Sequence, residues 1–299
     1  MKSIQLLILI ALTTTTVSAQ QLTTSSFYDM YGVLHNPAAV ATSKHGSVGA
    51  NYRTLWSAMP GSPKTGIVYG NGYLKKAKLG MGGYLFSDKT ANIANNGLSA
   101  SLNYQIEMKG SSTLSFGISG IVQQTQYDWA KLQSSLGTND PVIMGDRNRI
   151  QGDAGLGVAF TTPKFQIGAS VNQLVQSKLN LYEGTGSPTD EANLSRHFYG
   201  HALYKWNVDD VTTITPNILF IYLPNAPLEV QGGARVEHNN MFWYGLSWRV
   251  DQAWMISAGL RIKQKFQIGY SFDIYTSPLG QFDNGSNGHE IMLKYDFIK

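Results

Sequence analysis

Along the C-terminal third of the chain, apolar and polar residues alternate with a period of two. Ile291, Leu293, Tyr295 and Phe297 fall on one side of an extended chain and Met292, Lys294 and Asp296 on the other, because successive side chains of a strand point to opposite faces. The alternation recurs in Phe266, Ile268, Tyr270, Phe272 and Ile274 against Gln267, Gly269, Ser271 and Asp273. It recurs again in Trp254, Ile256, Ala258, Leu260 and Ile262 against Ser257, Gly259 and Arg261, and in Phe242, Tyr244, Leu246, Trp248 and Val250 against Gly245, Ser247 and Arg249. Upstream, the pattern predicts strands at 46–53, 65–74, 78–87, 97–108, 112–123, 153–162, 164–173, 197–207, 211–222 and 228–238. The total is about fourteen strands of roughly ten residues, the length a tilted strand needs to cross a bilayer, against 5–6 for an average soluble strand.

The connections between these strands alternate in length. Short links fall at 75–77, 109–111, 163–164, 208–210, 239–240 and at Gln264, and longer ones at 54–64, 88–96, 124–152, 174–196, 223–227 and 275–288. Only Asp251-Gln252 is short where a long loop is due. Up-and-down barrels of bacterial outer membranes have this asymmetry, with short turns in the periplasm and long loops outside. The expected fold is therefore all-β, a transmembrane up-and-down antiparallel barrel with both chain ends at the short-turn side.

Charge placement agrees. Arg53, Glu107, Lys205, Arg235, Glu237, Arg249, Arg261 and Asp273 all fall on the face opposite the apolar row. A cationic side chain facing lipid at mid-membrane would cost about 2–4 kcal/mol. A soluble lipocalin-like barrel would invert this arrangement. Trp206, Tyr222, Trp243, Tyr244, Trp248, Trp254 and Tyr275 lie near predicted strand ends, where interfacial aromatic girdles form.

The N-terminus sets the route to the membrane. Lys2, an apolar run from Ile4 to Leu12 and the small-residue site Val17-Ser18-Ala19 read as a signal peptide over residues 1–19. The mature chain then has a periplasmic segment over 20–45 and the barrel over 46–299. Charged residues are 14% of the chain, below the roughly 25% of a soluble domain, and cysteine is absent, which excludes disulfide staples and thiolate metal sites. The net charge of +4 is dispersed along the sequence, so nucleic acid is not an expected partner.

Candidate chemistry is thin. His197 and His201 stand four apart on a strand, about 13 Å, and His289 and Glu290 point to opposite faces. The glycines at Gly80, Gly82, Gly83, Gly155 and Gly157 lie inside strand patterns and not at a strand-to-helix junction, so they read as small lumen-facing residues or strand kinks. No G-x-S-x-G nucleophile elbow occurs. The expectation is a protein that is not an enzyme and holds no cofactor or metal.

Before the first strand stand Tyr31-Gly32-Val33-Leu34-His35-Asn36-Pro37-Ala38-Ala39, and at its end Asn51-Tyr52-Arg53-Thr54-Leu55-Trp56. With Asp88 closing an early strand and His289-Glu290-Ile291 opening the last, these residues resemble the PorP/SprF family of Bacteroidetes outer-membrane proteins. The likeness of strand layout covers nearly the whole mature chain. The resemblance implies a component of the type IX secretion and gliding machinery in the outer membrane, partnered by periplasmic type IX components and by a large secreted adhesin client. It marks Asn36, Pro37, Ala38, Ala39, Tyr52, Arg53, Trp56, Asp88, His289 and Glu290 as candidate partner-binding positions. Read as residues alone, Asn36-Pro37 is a rigid turned entry to the first strand, a lead-in or plug at the barrel mouth, since proline fixes its own φ and drives Asn36 out of the helical region. A scaffold for export or anchoring is the first expectation, and an outer-membrane channel or transporter for a small solute the alternative.

Overall fold

The computed structural model describes residues 24–128, 147–177, 193–224, 226–276, 285 and 287–298. The expected signal peptide, residues 1–19, and the central parts of the expected loops at 124–152, 174–196 and 275–288 lie outside the described residues. Fourteen antiparallel strands form one closed barrel: β1 (Gly46–Leu55), β2 (Lys64–Leu74), β3 (Leu79–Thr90), β4 (Ile93–Glu107), β5 (Thr113–Tyr127), β6 (Arg147–Thr161) and β7 (Phe165–Asn172), then β8 (His197–Tyr204, resumed at Trp206–Asn207), β9 (Thr212–Tyr222), β10 (Glu229–His238), β11 (Phe242–Arg249), β12 (Ala253–Ile262), β13 (Phe266–Tyr275) and β14 (Gly288–Phe297). Each strand pairs with its chain neighbours, and β1 closes the ring on β14 with Gly46 opposite Phe297 and Leu55 opposite Gly288.

The period of two governs which solvent each side chain meets. Leu246, Leu260, Ile268, Ile291 and their row-mates are exposed on the outside, while Gln267, Ser271, Asp273 and Glu290 are buried within. Arg53, Arg249 and Asp273 are buried in the lumen and Arg235, Glu237 and Arg261 lie partly buried there, so these charges are kept from hydrocarbon. No helix among the described residues is long and apolar enough to cross a membrane; the strands do the crossing.

Three expectations need correction. First, β3 and β4 run on to Thr90 and from Ile93, so no loop spans 88–96; the link is Ala91-Asn92. Apart from Ile93 and Ala94 the extra residues are polar and carry no apolar alternation, yet they pair across the sheet: the Thr65 hydroxyl donates to Asp88 at 2.6 Å and the Thr125 hydroxyl to Asn95 at 2.8 Å. β4, β5 and β6 each reach 15 residues, more than a bilayer needs, so one side of the wall extends beyond the apolar belt toward the long-loop end. Second, Trp243 is no girdle residue; it points inward at 2% exposure and covers Gly259 and Gly269, where an added Cβ would come within 2.4 and 2.7 Å of its ring. Third, the segment 20–45, in its described part, is not outside the barrel. Residues 24–41 lie inside the lumen.

Neighbouring positions on β5 test the phase. Ile118→Arg, on the exposed outer face, should cost about 2–4 kcal/mol in urea unfolding from lipid vesicles, whereas Ser119→Asn, facing a lumen cavity, should cost little. Equal costs would show that the faces are misassigned.

Candidate functional site

The lumen segment is built from three short turns, Tyr28–Met30, Gly32–His35 and Pro37–Ala39, too short for a strand and rich enough in apolar residues to bury. Phe27, Tyr31, Val33, Val40 and Ala41 form a cluster with the inward-facing Tyr69, Trp243 and Met292. Phe27 meets Trp243 edge-on at 5.8 Å between ring centres, and Tyr31 meets Tyr69 at 4.9 Å. Such pairs add about 0.5–1.5 kcal/mol beyond their buried area. Around this apolar centre the contacts are polar, as the lumen face requires.

Asn36 and Pro37 make the central turn. Asn36 is extended (φ −138°, ψ 115°), its side-chain oxygen accepts from the Ala38 N–H at 2.8 Å, and Pro37 occupies the first helical position, where it leaves no amide unsatisfied. The Asn36 amide nitrogen donates to the carbonyls of Val158 and Ala169 at 3.0 and 3.3 Å. Asn103 on β4 donates to the carbonyls of Pro37, Ala38 and Val40, and the Ser170 hydroxyl donates to that of His35 at 2.6 Å. The wall is hollowed to receive this turn. A Cβ added at Gly117 would lie 2.3 Å from the Ala38 nitrogen, and at Gly157 2.0 Å from the Asn36 oxygen. Gly117 and Gly157 are therefore a docking face for Asn36, Pro37 and Ala38, all buried with Ala39, whereas Gly83 and Gly155 face other atoms of the wall.

A second fastening lies toward the long-loop end. Arg53, 3% exposed, donates to Asp273 at 2.6 Å and stands 3.8 Å from Glu290, and it also donates to the Thr24 carbonyl. The Ser25 hydroxyl donates to Glu290 at 2.6 Å, the Ser26 N–H to Glu290 at 2.8 Å, and the Ser26 hydroxyl to Asp273 at 2.7 Å. Asn51 donates to Glu290 at 2.6 Å. One guanidinium thus holds two buried carboxylates, and the carboxylates hold the plug. Further down, Asp29 pairs with Arg235, and the Tyr28 hydroxyl donates to Asn217. The plug stands between two lumen cavities, one of about 510 Å³ toward the short turns and one of about 330 Å³ toward the long loops, with Val33 and His35 lining both.

The structure thus gathers Asn36, Pro37, Ala38, Ala39, Arg53 and Glu290 around one plug. The other marked positions lie apart from it. Tyr52 is exposed on the lipid face opposite Ile291. Trp56 turns out of β1 at positive φ and packs on Tyr275. Asp88 caps a strand pair in the wall of the smaller cavity, and His289 bonds the Tyr270 hydroxyl at 2.6 Å. Asp273, Asn103, Ser25 and Ser26 were not singled out as site residues; Asp273 carried a signal, an acid on the inward face of a late strand.

A ring of membrane-length strands with an apolar exterior and a polar interior defines an outer-membrane β-barrel protein. The chain belongs to the family of the type IX secretion system membrane protein PorP/SprF, whose pattern matches residues 17–295. Its fold is similar to that of a Pseudomonas aeruginosa FadL homologue, at 10% identity and a TM-score of 0.52 over 89% of this chain and 94% of that one. It is also similar to the Ralstonia pickettii toluene transporter TbuX (9%, 0.50, covering 89% and 92%) and to the P. putida toluene transporter TodX (8%, 0.50, covering 89% and 93%). At these identities the likeness is one of fold alone. Among proteins with curated descriptions, none matches the chain.

Plug docking can be read with a single thiol, since the chain has no cysteine. Ala38→Cys should react slowly with a maleimide in the folded barrel. Adding Asn36→Ala, which removes the cap and both wall contacts at a cost of about 1–3 kcal/mol, should speed labelling roughly 5- to 150-fold. Unchanged labelling would mean that this turn does not hold the plug.

Proposed function

We propose that this protein is a non-enzymatic scaffold of the type IX apparatus, supporting export or surface anchoring of large adhesins, and through them gliding motility. Its long loops face the client and its short turns face periplasmic components of the machinery. The observation that carries this reading is the fastening of the plug. A conduit must open, and withdrawing residues 24–41 would strip Asp273 and Glu290 of their serine donors and expose the aromatic cluster. Leaving a buried acceptor without its donor costs about 1–3 kcal/mol per group. A barrel so filled is suited to present surfaces at its two ends and ill-suited to pass cargo through its middle.

The rival reading, a channel for a small solute, draws on the two lumen cavities and on the likeness in fold to toluene transporters. A clean deletion separates the two. Under the scaffold reading, surface proteomics should lose one or a few large adhesins while a panel of solute-uptake assays stays unchanged. Intact surface display with loss of uptake of one nutrient would favour the channel.

A further inference from the structure

The lysines that are dispersed along the sequence are gathered in space. Of the sixteen in the chain, eight stand in or beside the short turns: Lys75, Lys76 and Lys78 between β2 and β3, Lys109 between β4 and β5, Lys164 between β6 and β7, Lys205 at the break in β8, and Lys263 and Lys265 between β12 and β13. Lys164 and Lys205 are adjacent, the Lys205 N–H donating to the Lys164 carbonyl at 2.6 Å. Among the described residues none of the eight makes an ion pair within 4 Å, although Lys75 and Lys78 lie near enough to Glu107 to act on its carboxylate. Glu107 at this end is held by Lys44 at 2.6 Å, and Asp209 turns inward on its own loop to accept from the N–H groups of Val211 and Thr212.

We infer that this rim is a binding surface for anionic phospholipid headgroups in the leaflet at the short-turn end, the periplasmic one in barrels of this class. Three observations carry it. The lysines abut the apolar belt directly: exposed Leu74 precedes Lys75, Met108 precedes Lys109, Tyr204 and Trp206 flank Lys205, and Ile262 precedes Lys263. The turns are also short, so an ammonium on its flexible stem is held at headgroup level and cannot reach far into the periplasm. Finally, Lys78 (φ 54°) and Lys263 (φ 51°) occupy left-handed conformations that suit asparagine or glycine, and asparagine does fill the position equivalent to Lys263 in the matching turn at Asn239. The turn conformation therefore does not select lysine; a cation there serves something outside the turn.

The test compares the full chain with a variant carrying Lys75→Gln, Lys76→Gln, Lys78→Asn and Lys263→Asn. The two asparagines suit the backbone, so unfolding in phosphatidylcholine nanodiscs should not be weakened. In nanodiscs containing a quarter phosphatidylglycerol, native mass spectrometry of the unmutated protein should show phosphatidylglycerol enriched over phosphatidylcholine. That enrichment should fall by roughly five-fold for each lysine removed. Absence of enrichment on the unmutated protein, or enrichment equal in the variant, overturns the proposal. So does a rim that ignores lipid but whose mutation releases a co-purifying acidic periplasmic protein, which would make it a protein site.

Discussion

A barrel of eight strands can be filled by its own inward side chains, whereas fourteen strands enclose space that needs another occupant. Here the occupant is the chain's own N-terminal segment, and its attachment to the wall is the interaction on which the rest depends. Arg53 reaches across to Asp273 and Glu290 from β1, and these two acids, on β13 and β14, grip Ser25 and Ser26. The two strands that close the ring, with β13 beside them, thus carry one of the plug's anchors, so closure of the sheet and placement of the plug are coupled through one buried charge cluster.

The wall answers to two solvents at once. Outside, an unbroken apolar face meets lipid; inside, amides, hydroxyls and charges meet one another and the plug. Pairing of the polar filling matters, because an unpartnered buried group costs about 1–3 kcal/mol. Asn103 is the best-served case, one side chain donating to three plug carbonyls while its oxygen accepts from the Gly80 N–H. Glycines at Gly117 and Gly157 give up packing of their own so that the Asn36 turn can approach the strands. Sequence conditions that look unrelated, an Asn-Pro turn and glycines some eighty and a hundred and twenty residues later, meet in one contact surface.

What was legible in the sequence follows from this division. The lipid face imposes a strict period of two, so the strands from Phe242 to Phe297 could be drawn almost to the residue. Beyond the belt that constraint lapses, which is why the tops of β3 and β4, with Asp88 and Asn95 paired to threonines, read as loop. Asn36-Pro37 could be read as a lead-in or plug at the barrel mouth, but its docking could not, since short turns such as Gly32–His35 carry no periodic signal and nothing local says that Phe27 and Tyr31 face Trp243 and Tyr69. Arg53 and Glu290 could be marked as positions, but their joining through Asp273 depends on the register of β14 against β1 and β13, a long-range fact. The lysine rim was hidden for the same reason, its members being scattered in order and brought to one end only by the folded barrel.

The central claim is that residues 24–41 seal the barrel, and single-channel recording from the full chain in planar bilayers tests it most directly. The account predicts no steady conductance from the intact protein and a stable open level once the residues from Thr24 to Ala41 are deleted. A steady pore in the intact protein, of the same size as in the deletion, would contradict it.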